Sequence, residues 1–205
     1  MKTIFLITMT TVMLLGIPAF AGAANTGDSG ANSSAAPGTE RSTGRPKVLV
    51  AYFSCTGNTE ALARYAANAL GADLYKITPQ EPYSSADLNY RDDNSRSSLE
   101  MNNDSSRPAI NGAVSNMQDY DIVFLGYPLW WGQAPRIINT FLESYDFSGK
   151  TIAPFCTSGS SAFGSSDRNL HGSVSKATWA SGARVSGNNE LISWVNGLGL
   201  PVTLK

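Results

Sequence analysis

Histidine is almost missing from this sequence. The chain of 205 residues contains one, His171, which excludes a metal site built from imidazoles and disfavours a Ser-His hydrolase. His171 itself reads as a surface helix residue. A surplus of positive charge is lacking as well. From Lys47 to Lys205 there are 12 Lys and Arg against 14 Asp and Glu, whereas a nucleic-acid partner needs a basic face. Internal repeats are absent. No paired Arg precedes the apolar N-terminal stretch, which argues against twin-arginine export, and no Cys near its end offers a lipid attachment point.

What is present at the N-terminus is Lys2 followed by an apolar run from Ile4 to Phe20. Gly16 and Pro18 interrupt it where a membrane span would have to continue. The small-x-small sites Ala19-Phe20-Ala21 and Ala21-Gly22-Ala23 follow, so residues 1–23 read as a secretory signal peptide. Residues 24–46 are rich in Gly, Ser, Ala, Asn and Thr and read as a disordered tether. A folded domain is expected over residues 47–205, exported to the periplasm or the exterior. Such a chain crosses the membrane unfolded and acquires any cofactor outside the cytoplasm.

The stretch Val48–Thr59, VLVAYFSCTGNT, organises the rest. Its unbroken apolar run predicts a strand buried on both faces, and Glu60 onward carries a helical pattern. Leu62, Tyr65, Ala66, Ala69 and Leu70 fall on one helical face, with Gly71 as the stop. Leu74–Ile77 predicts a short second strand. A polar segment from Pro79 to Ala113 follows, with a weakly periodic helix between Ser85 and Met101; connections this long tend to be functional or disordered. Asp121–Gly126 and Lys150–Cys156 are further buried-type strands, with a helix opening at Pro135 between them. A helix over Ser166–Lys176, a short strand at Ala183–Val185 and a helix over Asn188–Leu198 complete the pattern. This alternation predicts an α/β fold with an open, doubly wound parallel sheet of five strands in three αβα layers.

Ligands of such sheets bind beyond the carboxyl ends of the strands. Three loops have that position: Ser54–Thr59, Tyr127–Gly132 and Thr157–Gly164. The first offers hydroxyls, a flexible Gly57 and a helix N-terminus, which together make a phosphate site. The alternative is a capped turn with no ligand. The second loop carries Trp130 and Trp131, and the third a Gly/Ser-rich backbone with free N–H groups. A ligand with one phosphate and a flat aromatic ring system fits the set, and flavin mononucleotide (FMN) is the candidate. Ser148-Gly149-Lys150-Thr151 ends like a nucleotide-binding loop, but position 144 is Ser and the motif leads into a strand.

Ser54-Cys55-Thr56-Gly57-Asn58-Thr59 resembles the T/S-x-T-G-x-T phosphate loop of flavodoxins, at that family's place after the first strand. With Pro128-Leu129-Trp130-Trp131-Gly132 and Cys156-Thr157-Ser158-Gly159 in order, the resemblance extends from Lys47 to Leu200. It implies that Ser54, Cys55, Thr56, Gly57, Asn58 and Thr59 surround the FMN phosphate. Pro128, Leu129, Trp130, Trp131 and Gly132 would flank the isoalloxazine, with Trp130 favoured for stacking by register. Thr157, Ser158, Gly159 and Gly164 would bind the pyrimidine edge through backbone groups. The chain departs from electron-carrier flavodoxins in lacking a third-loop Tyr; Phe163 is the only aromatic there. Arg91, Arg96 and Glu100 either rim the pocket or lie on a solvated helix face.

In a flavodoxin strand order the strands carrying Cys55 and Cys156 have another between them. At about 4.8 Å per strand, that gap exceeds the roughly 7 Å limit on Cα separation in a disulfide. Two free thiols are expected, with no metal. Three roles compete. One is an FMN-dependent oxidoreductase acting on quinones or similar small acceptors, with the Pro79–Ala113 segment as a rim or lid. The others are a non-enzymatic electron carrier docking on redox proteins, and a flavin-binding module without turnover. Carrier flavodoxins are strongly acidic by resemblance, and the balanced charge here disfavours that role.

Overall fold

The computed structural model describes residues 44–205. The expected signal peptide, and the tether up to residue 43, lie outside the described residues. The first strand, β1 (Val48–Tyr52), is buried at every position. Its alternation divides the core: Leu49 and Ala51 face one helical layer, while Val48, Val50 and Tyr52 face the other. Helix α1 (Asn58–Leu70) packs Leu62, Ala63, Ala66, Ala67 and Leu70 on the second face and ends at Gly71, in the left-handed conformation.

Strand β2 (Asp73–Lys76) pairs in parallel with β1. It begins one residue earlier than expected, and the fully buried Ile77 follows it, its N–H donating to the Tyr52 carbonyl. The short strands β3 (Thr78–Pro79) and β4 (Ile110–Asn111) then pair antiparallel. They close residues 80–109 into one excursion, which contains helix α2 (Arg96–Met101). The long polar segment is therefore an ordered excursion with a paired base. Two charged side chains help fasten it to the body. Arg136, only 3% exposed, donates to the Met101 carbonyl and the Asp104 carboxylate. Arg107 forms a two-pronged pair with Glu143 at 2.7 and 2.9 Å.

Strand β5 (Ile122–Pro128) lies between β1 and β6 (Thr151–Thr157), parallel to both. Helix α3 (Arg136–Glu143) buries Ile137, Ile138, Phe141 and Leu142 on the first face. The P-loop-like Lys150 has a structural role: its ammonium donates to the carbonyls of Gln118 and Tyr120. The helix expected over Ser166–Lys176 shrinks to α4 (Arg168–His171). Within that stretch only Ser166, Leu170 and Val174 are buried, and Gly172 and Ser173 are poor helix formers, so little supports a longer helix. His171 is half exposed, stacks on Trp179 at 4.4 Å and bonds Asp167.

The fifth place in the sheet is shared by two fragments. These are β7 (Thr178–Trp179) beside the start of β6 and β8 (Ala183–Arg184) beside its end. The order is β2-β1-β5-β6, then β7 and β8. Helix α5 (Asn188–Gly197) returns to the α1 face with Leu191 and Val195. Five parallel positions between two helical layers match the expected doubly wound sheet. Cys55 and Cys156 are both free, and β5 separates their strands.

At the centre of the sheet Gly126 stands opposite Phe155, and a Cβ at 126 would come within 2.4 Å of that ring. Overpacking of this kind costs about 1–3 kcal/mol. Gly126→Ala is expected to lower stability by that amount in urea unfolding; an unchanged midpoint would show that the Phe155 ring yields freely.

Candidate functional site

The strands run parallel and in register, so β1, β5, β6 and β8 all deliver their carboxyl ends to one edge. The ladder continues briefly past them: Phe53 N–H donates to the Gly126 carbonyl, Leu129 to Thr157 and Val185 to Cys156. Polar turns begin where these bonds end. The first turn is shaped by Gly57, at φ 87°, which caps α1 with no side-chain cap. The N–H groups of the first helical turn therefore lack intrahelical acceptors and face this edge.

Around them, the Ser54 hydroxyl accepts from Gly57 N–H at 3.1 Å, and the Asn58 amide donates to the Thr56 hydroxyl at 3.3 Å. Thr59 is buried, and its hydroxyl bonds that of Thr157 at 2.7 Å, stitching the first loop to the third. Glu60 places an acid in the first turn of α1, but Arg64 and Lys76 both grip it, at 2.8 and 3.0 Å. These bonds hold its carboxyl below the usual range. The trio carries one net positive charge, so the cradle does not repel an anion.

Two cavities meet at this edge and share Thr56, Pro128 and Leu129. The larger, about 580 Å³, also touches Gly57, Asn58, Thr157, Ser158 and Gly159. The smaller, about 380 Å³, is walled by Cys55, Trp130 and Trp131. Eleven of the sequence-predicted site residues thus line one cavity or the other. Ser54 and Thr59 instead brace the first loop. Gly132 and Gly164 are turn residues, at φ 76° and 53°, and line neither cavity.

Trp130 and Gln133 exchange backbone bonds at 3.0 and 2.9 Å across a two-residue turn. Both central residues, Trp131 (φ 49°) and Gly132, are left-handed. For a tryptophan that conformation costs roughly 1–2 kcal/mol. Trp130 is half-buried, edge-on to Phe53 and Tyr83 at 5.5 and 5.3 Å, whereas Trp131 is 46% exposed. Tyr83 donates to Glu100 at 2.5 Å, Glu100 accepts from Arg96 at 2.7 Å, and the Arg96 guanidinium lies 4.1 Å over the Tyr83 ring. Burial, then the Glu100 bond, pushes the Tyr83 hydroxyl far above its ordinary range. Arg96 and Glu100 brace Trp130 from behind and do not line the cavity. Phe163 packs against the core where a side chain at Gly182 would stand, and lines neither cavity.

Sequence reasoning missed Leu88, Tyr90 and Ser97, which complete the smaller cavity, and Val185–Asn188, which closes the larger. Ser186-Gly187-Asn188 before a helix was a readable fourth loop. Nothing periodic marks Leu88 or Tyr90.

A flavodoxin family model matches residues 47–198. The chain belongs to the flavodoxin family. Its fold matches a candidate flavoprotein of Bacteroides eggerthii at 44% identity and TM-score 0.72, covering 76% of this chain and 99% of that one. A second, from Bacteroides uniformis, matches at 41% identity and TM-score 0.70, covering 74% and 98%. A Lactobacillus acidophilus flavoprotein solved in complex with FMN shares the fold at 20% identity and TM-score 0.56, covering 73% and 99%. No curated protein matches. Among the described residues of this flavodoxin, no His, Cys, Asp and Glu cluster fit for a metal ion occurs.

In this flavodoxin, desolvation pushes the Cys55 thiol to about 11 and the Cys156 thiol to about 12. A thiol raised from 9.0 to about 11 holds about 100-fold less thiolate at mildly alkaline pH. Unfolded, unreduced protein is expected to titrate two thiols, and native Cys55 to alkylate about 10-fold more slowly than an unperturbed thiol despite its exposure, because its scarcer thiolate is also the more nucleophilic. A silent unfolded protein would reveal a disulfide, and fast native alkylation a thiolate.

Proposed function

We propose that this flavodoxin binds one FMN non-covalently and passes electrons from it to a small soluble acceptor, of the quinone class. The observation that carries the reading is the junction of the two cavities, an anion cradle and an aromatic slot that share Thr56, Pro128 and Leu129. Membership of the family and the FMN complex of the Lactobacillus acidophilus relative support it.

Neutral donors suit the phosphate: the first-turn N–H groups of α1, the Thr56 hydroxyl, and Ser158 and Ser186 across the cavity. Ser158 is positioned by Arg184, whose guanidinium donates to its carbonyl at 3.1 and 3.2 Å. Trp130 and Trp131 supply apolar faces for a flat ring and keep water from it. When bound, FMN supplies reversible one- and two-electron chemistry. The chain contributes binding, orientation and exclusion of water, and no lining side chain of the aromatic cavity is a strong acid or base. The apolar N-terminal run supports an exported, periplasmic or extracellular setting.

The competing role is an electron carrier that docks on a redox protein. Twelve basic against fourteen acidic residues from Lys47 onward give little net field to steer such docking. That balance favours the small acceptor.

Adding FMN to the purified chain is expected to quench tryptophan fluorescence and yield bound flavin absorbance; neither signal at micromolar FMN would defeat the reading. Thr56→Ala removes a charge-assisted hydrogen bond of roughly 1.5–3 kcal/mol, so FMN affinity is expected to fall about 10- to 100-fold. Riboflavin, which lacks the phosphate, should be less affected. Equal losses for both would place the phosphate elsewhere.

Chemically reduced protein is expected to deliver two electrons, with two protons from solvent, to a soluble quinone, giving the hydroquinone at a rate nearly independent of salt. Stopped-flow oxidation at low and high salt measures this. Inertness toward quinones together with fast, salt-sensitive transfer to a redox protein would establish the carrier instead.

A further inference from the structure

The fifth sheet position carries a residue too many. Thr178 and Trp179 pair with Thr151 and Ile152, and Ala183 and Arg184 with Phe155 and Cys156. Between these pairings β6 has Ala153 and Pro154, whereas its neighbour has Ala180, Ser181 and Gly182. The ladder breaks there for a local reason. The alternation that aims the Ile152 and Cys156 carbonyls at Ala180 and Val185 aims Pro154 at the same neighbour, and Pro has no N–H to give. The extra residue makes a bulge, a device found beside functional edges. Its Ser181 carbonyl turns away from the sheet and accepts from the Trp194 indole at 2.9 Å.

The ring of Phe163 occupies the step so formed. A Cβ at Gly182 would overlap the Cζ end of that ring. Gly182 is outside the left-handed region, so what the ring requires is the absent side chain and not a special backbone. Phe163 is half-buried on the α3 face of the core, and its carbonyl accepts from Ser166 N–H at 3.0 Å. The buried Ser166 continues the tie into the second loop, through its hydroxyl to Tyr127 at 3.2 Å and its carbonyl to Ala134 N–H at 3.1 Å.

The third loop is thereby held at both ends. At the first, Thr157 bonds Leu129 and Thr59, and the Ser158 carbonyl takes the Arg184 guanidinium. At the second stands the Phe163 ring. Between them Gly159–Ala162 are exposed and, among the described residues, bond only within the loop, Ser161 N–H to the Ser158 hydroxyl at 3.0 Å. A Gly/Ser segment of this kind loses backbone entropy when a ligand orders it, and an anchor at its far end lowers that loss beforehand.

We propose that Phe163 is a positioning residue of the cofactor site: its ring, seated on Gly182 in the bulge of the fifth strand, sets the course of the third loop and so holds the Ser158 and Gly159 backbone ready for the pyrimidine edge of the flavin. The role rests on the FMN reading for its ligand, whereas the anchor itself does not.

Phe163→Ala and Gly182→Ala in the full chain remove the contact from its two sides. Each is expected to weaken FMN and riboflavin alike in fluorescence titration, by about 10-fold, the equivalent of one or two neutral hydrogen bonds. Phe163→Leu, which keeps apolar bulk on the seat, should stay within about threefold of the parent. The double variant should lose no more than Phe163→Ala alone, because both changes delete one contact. Additive losses would overturn the proposal. Unchanged flavin affinity in Phe163→Ala, even with a lowered urea midpoint, would overturn it too, the ring then being core and nothing more. So would a loss confined to FMN, since the loop would then serve the phosphate alone. Hydrogen exchange of the flavin-free chain tests the anchor without cofactor: the Ser166 amide should exchange at least about 10-fold faster in both single variants. An unchanged rate would show that Phe163 anchors nothing. If the parent binds neither flavin while this exchange effect is present, the FMN reading falls and the anchor stands.

Discussion

The rest of the molecule depends on the burial of β1, β5 and β6 on both faces in one parallel register. Parallel strands can be paired this way only if their connections cross back over the sheet, which covers both faces with helices. The same register brings the strand exits level, so residues far apart in sequence meet at one edge. Thr59 and Thr157 share a hydroxyl hydrogen bond there although a strand lies between theirs. The anion cradle is thus a by-product of the core: apolar runs stop together, and small hydroxyl residues occupy the step that remains.

That origin explains what could be read from the chain. Val48–Tyr52 and Ile122–Gly126 are legible as strands because burial on two faces leaves no polar position to confuse the pattern. The turns after them are legible because their chemistry is local. The fifth strand was half legible; Ala183–Arg184 showed itself, whereas Thr178–Trp179 is two residues long and gains its form only from pairing with Thr151 and Ile152. The helix over 166–176 was overread, because Leu170 and Val174 have helical spacing whether or not the backbone continues past Gly172. Residues 80–109 were the least legible of all. Their course is set by Arg136 reaching in from α3 and by Arg107 reaching out to Glu143, and such tertiary anchors leave no trace in periodicity. The brace behind Trp130 is similar: Arg96 and Glu100 have ordinary helix spacing, and only the fold places Tyr83 between them and the indole.

Charge is organised by neighbourhood. Glu60 lies between Arg64 and Lys76, Glu100 beside Arg96, and Glu143 beside Arg107. Each cluster settles a local matter, namely the sign of the potential at the cradle, the seat of Trp130, and the attachment of the excursion. Pairs of this kind add little to global stability when exposed, and their value is positional.

The broken fifth strand has a consequence for the protein in crowded surroundings. A sheet with open sides exposes rows of unpaired N–H and C=O groups, onto which a second chain can lay a strand. Here one border is divided into two pairs of residues separated by Ala180–Gly182. The opposite border, β2, is four residues long and carries Asp73 at one end and Lys76 at the other. Neither border offers a long, flat, uncharged row to copy, so two molecules that collide edge to edge find nothing to extend.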